Sequence, residues 1–152
     1  MMRPVALYPD AELVAVTWLR AQLAARPEPF VAGVTVGTKL APGVSPGRYV
    51  RIRRLGGVEL HVVADNPRLQ AQVWYSTGTV TDEHNRQDLA QVVWAILRGI
   101  EGQRVTIPDW PVPVTCYRVG TFSGPVPVPD PADNTKMITQ LTVEIGMRGR
   151  PA

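Results

Sequence analysis

The sequence predicts an α+β fold: two helices pack on one face of a mostly antiparallel sheet of about four to six strands, with long proline-rich loops. Two segments have the apolar spacing of amphipathic helices, whereas most other patterned segments alternate or are rich in β-branched residues. Two helices are too few to connect that many parallel strands, so antiparallel pairing is favoured. The 152 residues, 1–152, are expected to form one domain.

The two helices have recognisable starts and ends. The first should begin after Asp10, whose carboxylate can accept hydrogen bonds from the first turn, and should end at the proline-containing segment Arg26–Pro29. The second should begin near Thr81 or Asp82 and end near Gly99. Each places its apolar residues on one face, as a helix packed on a sheet requires.

The first half of the chain contains the candidate strands between the helices. Residues 30–40 are rich in β-branched residues and predict a strand. Residues 48–55 alternate between apolar and polar side chains, and Gly56 with Gly57 predicts a tight reversal after them. Asp65–Pro67 predicts a second turn, followed by another alternating strand.

The last third of the chain contains a proline-rich segment between two strands. A strand begins near residue 114, and the segment 123–135 has prolines at alternating positions and no pattern typical of a core. We interpret residues 121–135 as a long exposed loop or extended arm. The segment MITQLTVEIGMRG (137–149) then closes the sheet with one apolar and one polar face.

The segment RYVRIRRLGG (48–57) is the densest patch of charge in a chain of formal charge +3. Alternation places Tyr49, Arg51 and Arg53 on one face of the strand and the apolar residues on the other. Besides nucleic-acid binding, this strand could have one of three roles. It could be a solvated outer face, a protected edge strand, or a strand whose arginines pair with carboxylates of another subunit. The basic excess is local, so we favour a protein interface over nucleic-acid binding.

The sequence contains no recognisable catalytic, cofactor-binding or metal-binding motif. The one cysteine, Cys116, is interpreted as a small buried apolar residue, and His84 as a solvated residue at a helix start. The carboxylates of residues 81–84 are explained as helix-capping groups. Because no motif for catalysis is recognised, we expect a protein that is not an enzyme and needs no cofactor. Because the sequence has neither a secretory signal nor a long apolar run, we expect the protein to be soluble.

The order of these segments resembles the tail terminator proteins of long-tailed bacteriophages, especially those that infect actinobacteria. The resemblance covers most of the chain and rests on YVRIRRLGG, on DNPRLQAQVWYS, and on the prolyl segment that runs into MITQLTVEIGMRG. It is a similarity of pattern and order, because none of these segments is a catalytic signature.

The resemblance implies a structural virion protein. Such terminators form a ring, expected to be hexameric, that caps the tail tube, stops its polymerisation and joins the tail to the head connector. The implied partners are further copies of the chain, the major tail tube protein and a head-completion or connector protein. Genomic DNA would pass through the lumen without specific binding, and no membrane is involved. The protein would be made in the host bacterial cytoplasm and reside at the head-proximal end of the virion tail.

The contact residues expected from this resemblance lie in two segments. We call residues 48–57 the arginine strand and residues 121–135 the proline arm. The expected contact residues are Arg48, Tyr49, Arg51, Arg53, Pro125, Pro127, Pro129 and Asp130. Two alternatives stay open: another head–tail connector or minor tail protein, and a small nucleic-acid-binding domain.

Overall fold

Two α-helices lie on one side of a sheet in the computed structural model, which describes residues 5–40, 46–61 and 64–151. Helix α1 (Ala11–Ala24) begins after Asp10, whose Oδ1 accepts a hydrogen bond from Leu13 N at 3.1 Å. Helix α2 (Asp82–Arg98) follows Thr81 and ends at Gly99. The predicted starts of both helices are confirmed.

The described residues also form eight strands, more than the four to six that the sequence predicts. They are β1 (Ala6–Leu7), β2 (Thr35–Gly37), β3 (Arg48–His61), β4 (Ala64–Tyr75), β5 (Gln103–Val105), β6 (Val114–Pro129), β7 (Met137–Arg148) and β8 (Arg150–Pro151). Six of them form one sheet in the order β2-β3-β4-β7-β6-β5, and β1 pairs separately with β8. Only the short pairing of β2 with β3 is parallel, so the α+β class and the mostly antiparallel sheet are confirmed.

The core lies between this sheet and the two helices. The alternation of β3 is as predicted, because Val50 and Ile52 are fully buried toward the helices while Arg51 and Arg53 lie on the other face. The main helix-facing side chains of the sheet are Val50, Ile52, Leu69, Ala71, Val73, Leu141, Val143 and Ile145. They pack against Val14 and Leu19 of α1 and against Leu89, Val93 and Leu97 of α2.

The predicted reversal at Gly56 and Gly57 is wrong, because β3 runs through both glycines to His61. The two glycines have φ of 114° and 132°, and the extra residue Leu55 forms a bulge where Arg54 and Gly56 oppose consecutive residues of β4. The predicted turn Asp65–Pro67 is also wrong, since these residues lie within β4. The chain instead reverses between His61 and Ala64, which are paired.

The strand predicted for residues 30–40 is mostly wrong. A 3-10 helix occupies Pro29–Val31, and β2 is limited to Thr35–Gly37. Gly33 has φ of 76°, a left-handed conformation that interrupts an extended chain. The strand begins only after this residue.

The exposed loop or arm predicted for residues 121–135 is wrong over most of its length. Strand β6 continues to Pro129 and pairs with β7, so only residues 130–136 connect the two strands. Three register shifts each place one extra residue in β6 relative to β7. Such bulges bend and twist a strand, so the end of the β6–β7 hairpin is curled.

Candidate protein-interaction surface

The arginine strand binds its own chain. Three of its four predicted contact residues donate hydrogen bonds to main-chain carbonyls of residues 32–39. Arg48 Nη1 donates to Ala32 O at 2.6 Å, Tyr49 OH to Lys39 O at 2.5 Å, and Arg51 Nε to Thr38 O at 3.4 Å. These contacts hold the segment around β2 against β3. Arg53 differs, because it is exposed and its side chain makes no hydrogen bond or ion pair within the described residues.

The face of the sheet away from the helices is polar, and many of its polar groups are paired within the chain. Arg68 and Glu144 form an ion pair at 2.9 Å. On the helix-facing side of the sheet, Arg54 makes a bidentate contact with the buried Asp65, at 2.9 and 3.0 Å. Because the carboxylate and guanidinium groups satisfy each other, these ion pairs fix neighbouring strands together.

The end of the β6–β7 hairpin, residues 126–137, is the hairpin tip. It is fixed to β4 through Asp130, which is 2% exposed. One carboxylate oxygen of Asp130 accepts from Trp74 Nε1 at 3.1 Å, and the other accepts from Ala132 N at 2.9 Å. Asp130 was expected at a partner contact, but the structure places its carboxylate inside the chain, where it anchors the turn.

A second anchor comes from α2. Arg86 is buried, and its Nε donates to Thr139 Oγ1 while its Nη1 donates to Met137 O, both at 3.1 Å. The tip is therefore held by a helix on one side and by β4 on the other. Sequence reasoning missed Arg86, because an arginine in an amphipathic helix is normally assigned to the solvent face. Its position three residues before Leu89 on the apolar stripe was the available signal.

Apolar side chains are exposed on this anchored tip. Met137 and Val126 are 42% and 48% exposed, and Pro127 and Pro129 are exposed as well. The register pairs Pro129 with Met137, so Pro127, Pro129 and Met137 share the helix-side face of the hairpin, whereas Val126 lies on the opposite face. We call the surface formed by Pro127, Pro129 and Met137 the apolar tip face.

The free edge of the tip lacks hydrogen-bond donors. Directly opposed residues of an antiparallel pair alternate between those that exchange two hydrogen bonds and those that exchange none. Proline has no N–H, so Pro127 and Pro129 occupy the non-bonded pairs and Val128 the bonded pair between them. The outward edge from Pro127 to Pro129 therefore presents two carbonyl acceptors and no N–H. Such an edge cannot be extended by an ordinary strand.

The side chains that the sequence analysis weighed for catalysis or metal binding, Cys116, His84 and Asp82, do not form a common site. The Cys116 thiol lies in the core, where burial raises its pKa to about 12 and disfavours the reactive thiolate. His84 is exposed on α2 and pairs with Asp88 one turn later, at 3.1 Å. Asp82 lies in the first turn of α2 as predicted, but it does not cap the helix, because its carboxylate accepts hydrogen bonds from the residues before the helix. Burial alone would raise its pKa, but hydrogen bonds from Thr77, Gly78 and Thr79 outweigh burial and lower the pKa to about 2.

Comparisons with known proteins do not place the chain in a family. The chain matches no protein-family model, and no curated protein is significantly similar to it in sequence. Neither helix in the described part of the chain is long and apolar enough to cross a membrane. No group of three or more potential metal-ligating side chains occurs in the described ranges.

Proposed function

We propose that this chain is a structural, non-enzymatic subunit of a ring that caps the tail tube of a long-tailed phage, stops tube growth and joins the tail to the head connector. The observation that carries the proposal is the anchored hairpin tip. It displays exposed apolar side chains on a β-hairpin that is hydrogen-bonded to β4 and α2, and exposed apolar patches are typical of protein–protein contact surfaces.

Rigidity makes this surface suited to assembly. A contact segment that is ordered before binding loses less conformational entropy on association than a flexible arm does. Trp74, Asp130 and Arg86 supply that order here. The sequence resemblance to tail terminators is the reason for proposing a tail-terminator ring. The anchored tip supports the proposal that surface contacts hold the subunits of this ring together.

The arginine strand has a narrower role in this proposal than the sequence alone suggests. Arg48 and Arg51 are engaged with their own chain, so Arg53 is the member best placed to meet a partner. A single exposed arginine at a subunit contact fixes register and partner choice more than it adds affinity.

The test is a tube-length assay. The tail tube protein encoded with this chain is polymerised in the absence and presence of the purified chain, and tube lengths are measured by electron microscopy. We expect substoichiometric amounts of the chain to stop growth and to leave a ring at one end of each tube. Unchanged tube lengths with bare ends would reject the proposal.

Point variants separate the surface from the fold in this assay. A deletion of residues 124–133 would remove part of β6, so Met137→Asp is the sharper change. It places a charge on the exposed tip, and we expect longer tubes with bare ends. The matched control is Val80→Asp, at a fully exposed position outside the tip, which should cap tubes as the unaltered chain does.

A further inference from the structure

We propose that the apolar tip face of one copy docks in the groove between α1 and α2 of a second copy. The inference rests on the ring proposed above and names the contact that would build it. The occupant is a second copy of this chain, because its tip matches the groove in both apolar surface and hydrogen-bonding groups.

The groove has an apolar floor. It has a volume of about 550 Å³ and runs between the outer surfaces of the two helices. Trp18, Val92 and Ile96 form its floor and are only half-buried, and Trp18 Nε1 is already satisfied by Ile96 O at 3.0 Å. Covering these side chains with proline and methionine would remove apolar surface from water, the main favourable term in protein association.

The rim of the groove carries donors. Gln22, Gln91 and Gln103 line it, and their side-chain amides make no hydrogen bond within the described residues. Each amide offers two N–H groups, whereas the tip edge offers the carbonyls of Pro127 and Pro129 with no competing N–H. A donor-free strand edge cannot pair with another strand, but it can accept hydrogen bonds from side-chain amides.

The tip does not fill the groove of its own copy. It is held at the N-terminal end of α2 through Arg86, whereas the groove lies along the later part of α2, from Gln91 to Gly99. The two surfaces are different patches of one molecule, so contact between copies is head-to-tail. Repeating a head-to-tail contact closes a ring when its rotation permits.

The experiment is cross-linking between two single-cysteine variants. Chains carrying Met137→Cys are mixed with chains carrying Ala95→Cys, an exposed position that lines the groove, and treated with a short bis-maleimide. Cys116 does not interfere, because it is buried and its pKa is raised to about 12. We expect one cross-linked species, the Met137–Ala95 heterodimer, identified by peptide mass spectrometry.

The matched control is Val126→Cys. Val126 is as exposed as Met137 but lies on the opposite face of the same hairpin. We expect its yield with Ala95→Cys chains to be lower by about tenfold, because only the docked face has a high effective concentration at the groove. Equal yields from the two tip variants, or no heterodimer from Met137→Cys, would overturn the inference.

This result can be separated from the tube-length assay. Selective cross-linking by a chain that leaves tube lengths unchanged would keep the contact and reject the terminator role. Capped tubes with no face-selective cross-link would keep the terminator role and reject this contact.

Discussion

Asp130 shows how a single buried carboxylate can order a surface segment. Its two oxygens accept hydrogen bonds from donors in different parts of the chain, the indole of Trp74 on β4 and the main chain of the turn at Ala132. Because a buried carboxylate is costly without such donors, both contacts are needed to keep it inside. The turn is thereby positioned over β4.

We expect Asp130→Asn to lower the free energy of unfolding by about 1–3 kcal/mol, because one donor loses its acceptor in a buried site. An amide has one oxygen, so it can accept from Trp74 or from Ala132, and its NH₂ group then faces the other donor. Urea denaturation followed by tryptophan fluorescence measures the change.

Asp133→Asn is the control for that change, since it removes a carboxylate from the same turn. Its Oδ1 alone accepts both hydrogen bonds from Thr135, and an amide oxygen can keep both. We expect its unfolding curve to overlay that of the unaltered chain. A loss as large as that of Asp130→Asn would show that charge, rather than acceptor number, decides the stability of the turn.

At the scale of elements, the glycine pair of β3 shows that two adjacent left-handed residues can have different causes. A Cβ on Gly57 would collide with Asn66 O and lie 2.7 Å from Pro67 Cα, whereas a Cβ on Gly56 would meet nothing within 4 Å. Gly56 is thus required for its backbone conformation alone. Gly57 is required both for its conformation and for the close approach of β4.

We expect Gly56→Ala to destabilise the chain by about 1–3 kcal/mol, the usual cost of a strained backbone conformation. Gly57→Ala should cost clearly more, because β4 must also move away from β3. Thermal unfolding of the two variants compares them directly. A Gly57→Ala protein that melts at or above the Gly56→Ala protein would show that the two strands separate easily at this point.

The sequence predicted the elements whose signal is local and missed those that depend on a partner strand. The α1 cap at Asp10 and the alternation around Val50 and Ile52 are read from neighbouring residues, and both are confirmed. Gly56-Gly57 has the composition of a turn, but pairing with β4 makes it a bulge. The alternate prolines of β6 likewise suit a loop, and only the pairing of Val126 and Val128 with β7 makes them an edge strand.

The candidate surface was predicted in part for the same reason. Pro127 and Pro129 were expected at a contact, and they are exposed on the tip. The burial of Asp130 was not foreseeable, because its partner Trp74 lies 56 residues away in sequence. Likewise, nothing near Arg48 or Arg51 indicates that their acceptors are main-chain carbonyls of an earlier segment.

At the scale of the whole molecule, the net charge of +3 bears on the nucleic-acid alternative. Arg48, Arg51 and Arg54 are bound to groups of their own chain. Arg53 is exposed and makes no such contact with the part of the chain that the structure describes. Affinity for nucleic acid grows with the number of phosphates that a protein neutralises, and one available arginine on this strand would contribute little.

We therefore expect at most weak binding to duplex DNA, and none detectable at physiological ionic strength. Fluorescence anisotropy of a labelled duplex, measured from low to physiological salt, tests this. Binding that persists at physiological salt and is weakened by Arg53→Gln would favour the nucleic-acid-binding alternative. Arg104→Gln, at another exposed arginine, controls for the loss of one charge.

The position of β7 in the sheet has a consequence for how the protein is made. It lies in the middle of the sheet, between β4 and β6, yet it follows both of them in the chain. During synthesis β4 and β6 are therefore complete while each still has an unpaired edge, and unpaired edges are sites of aggregation. The sheet can close only when β7 leaves the ribosome, so translation that stalls before Met137 should yield a chain that chaperones retain or proteases remove.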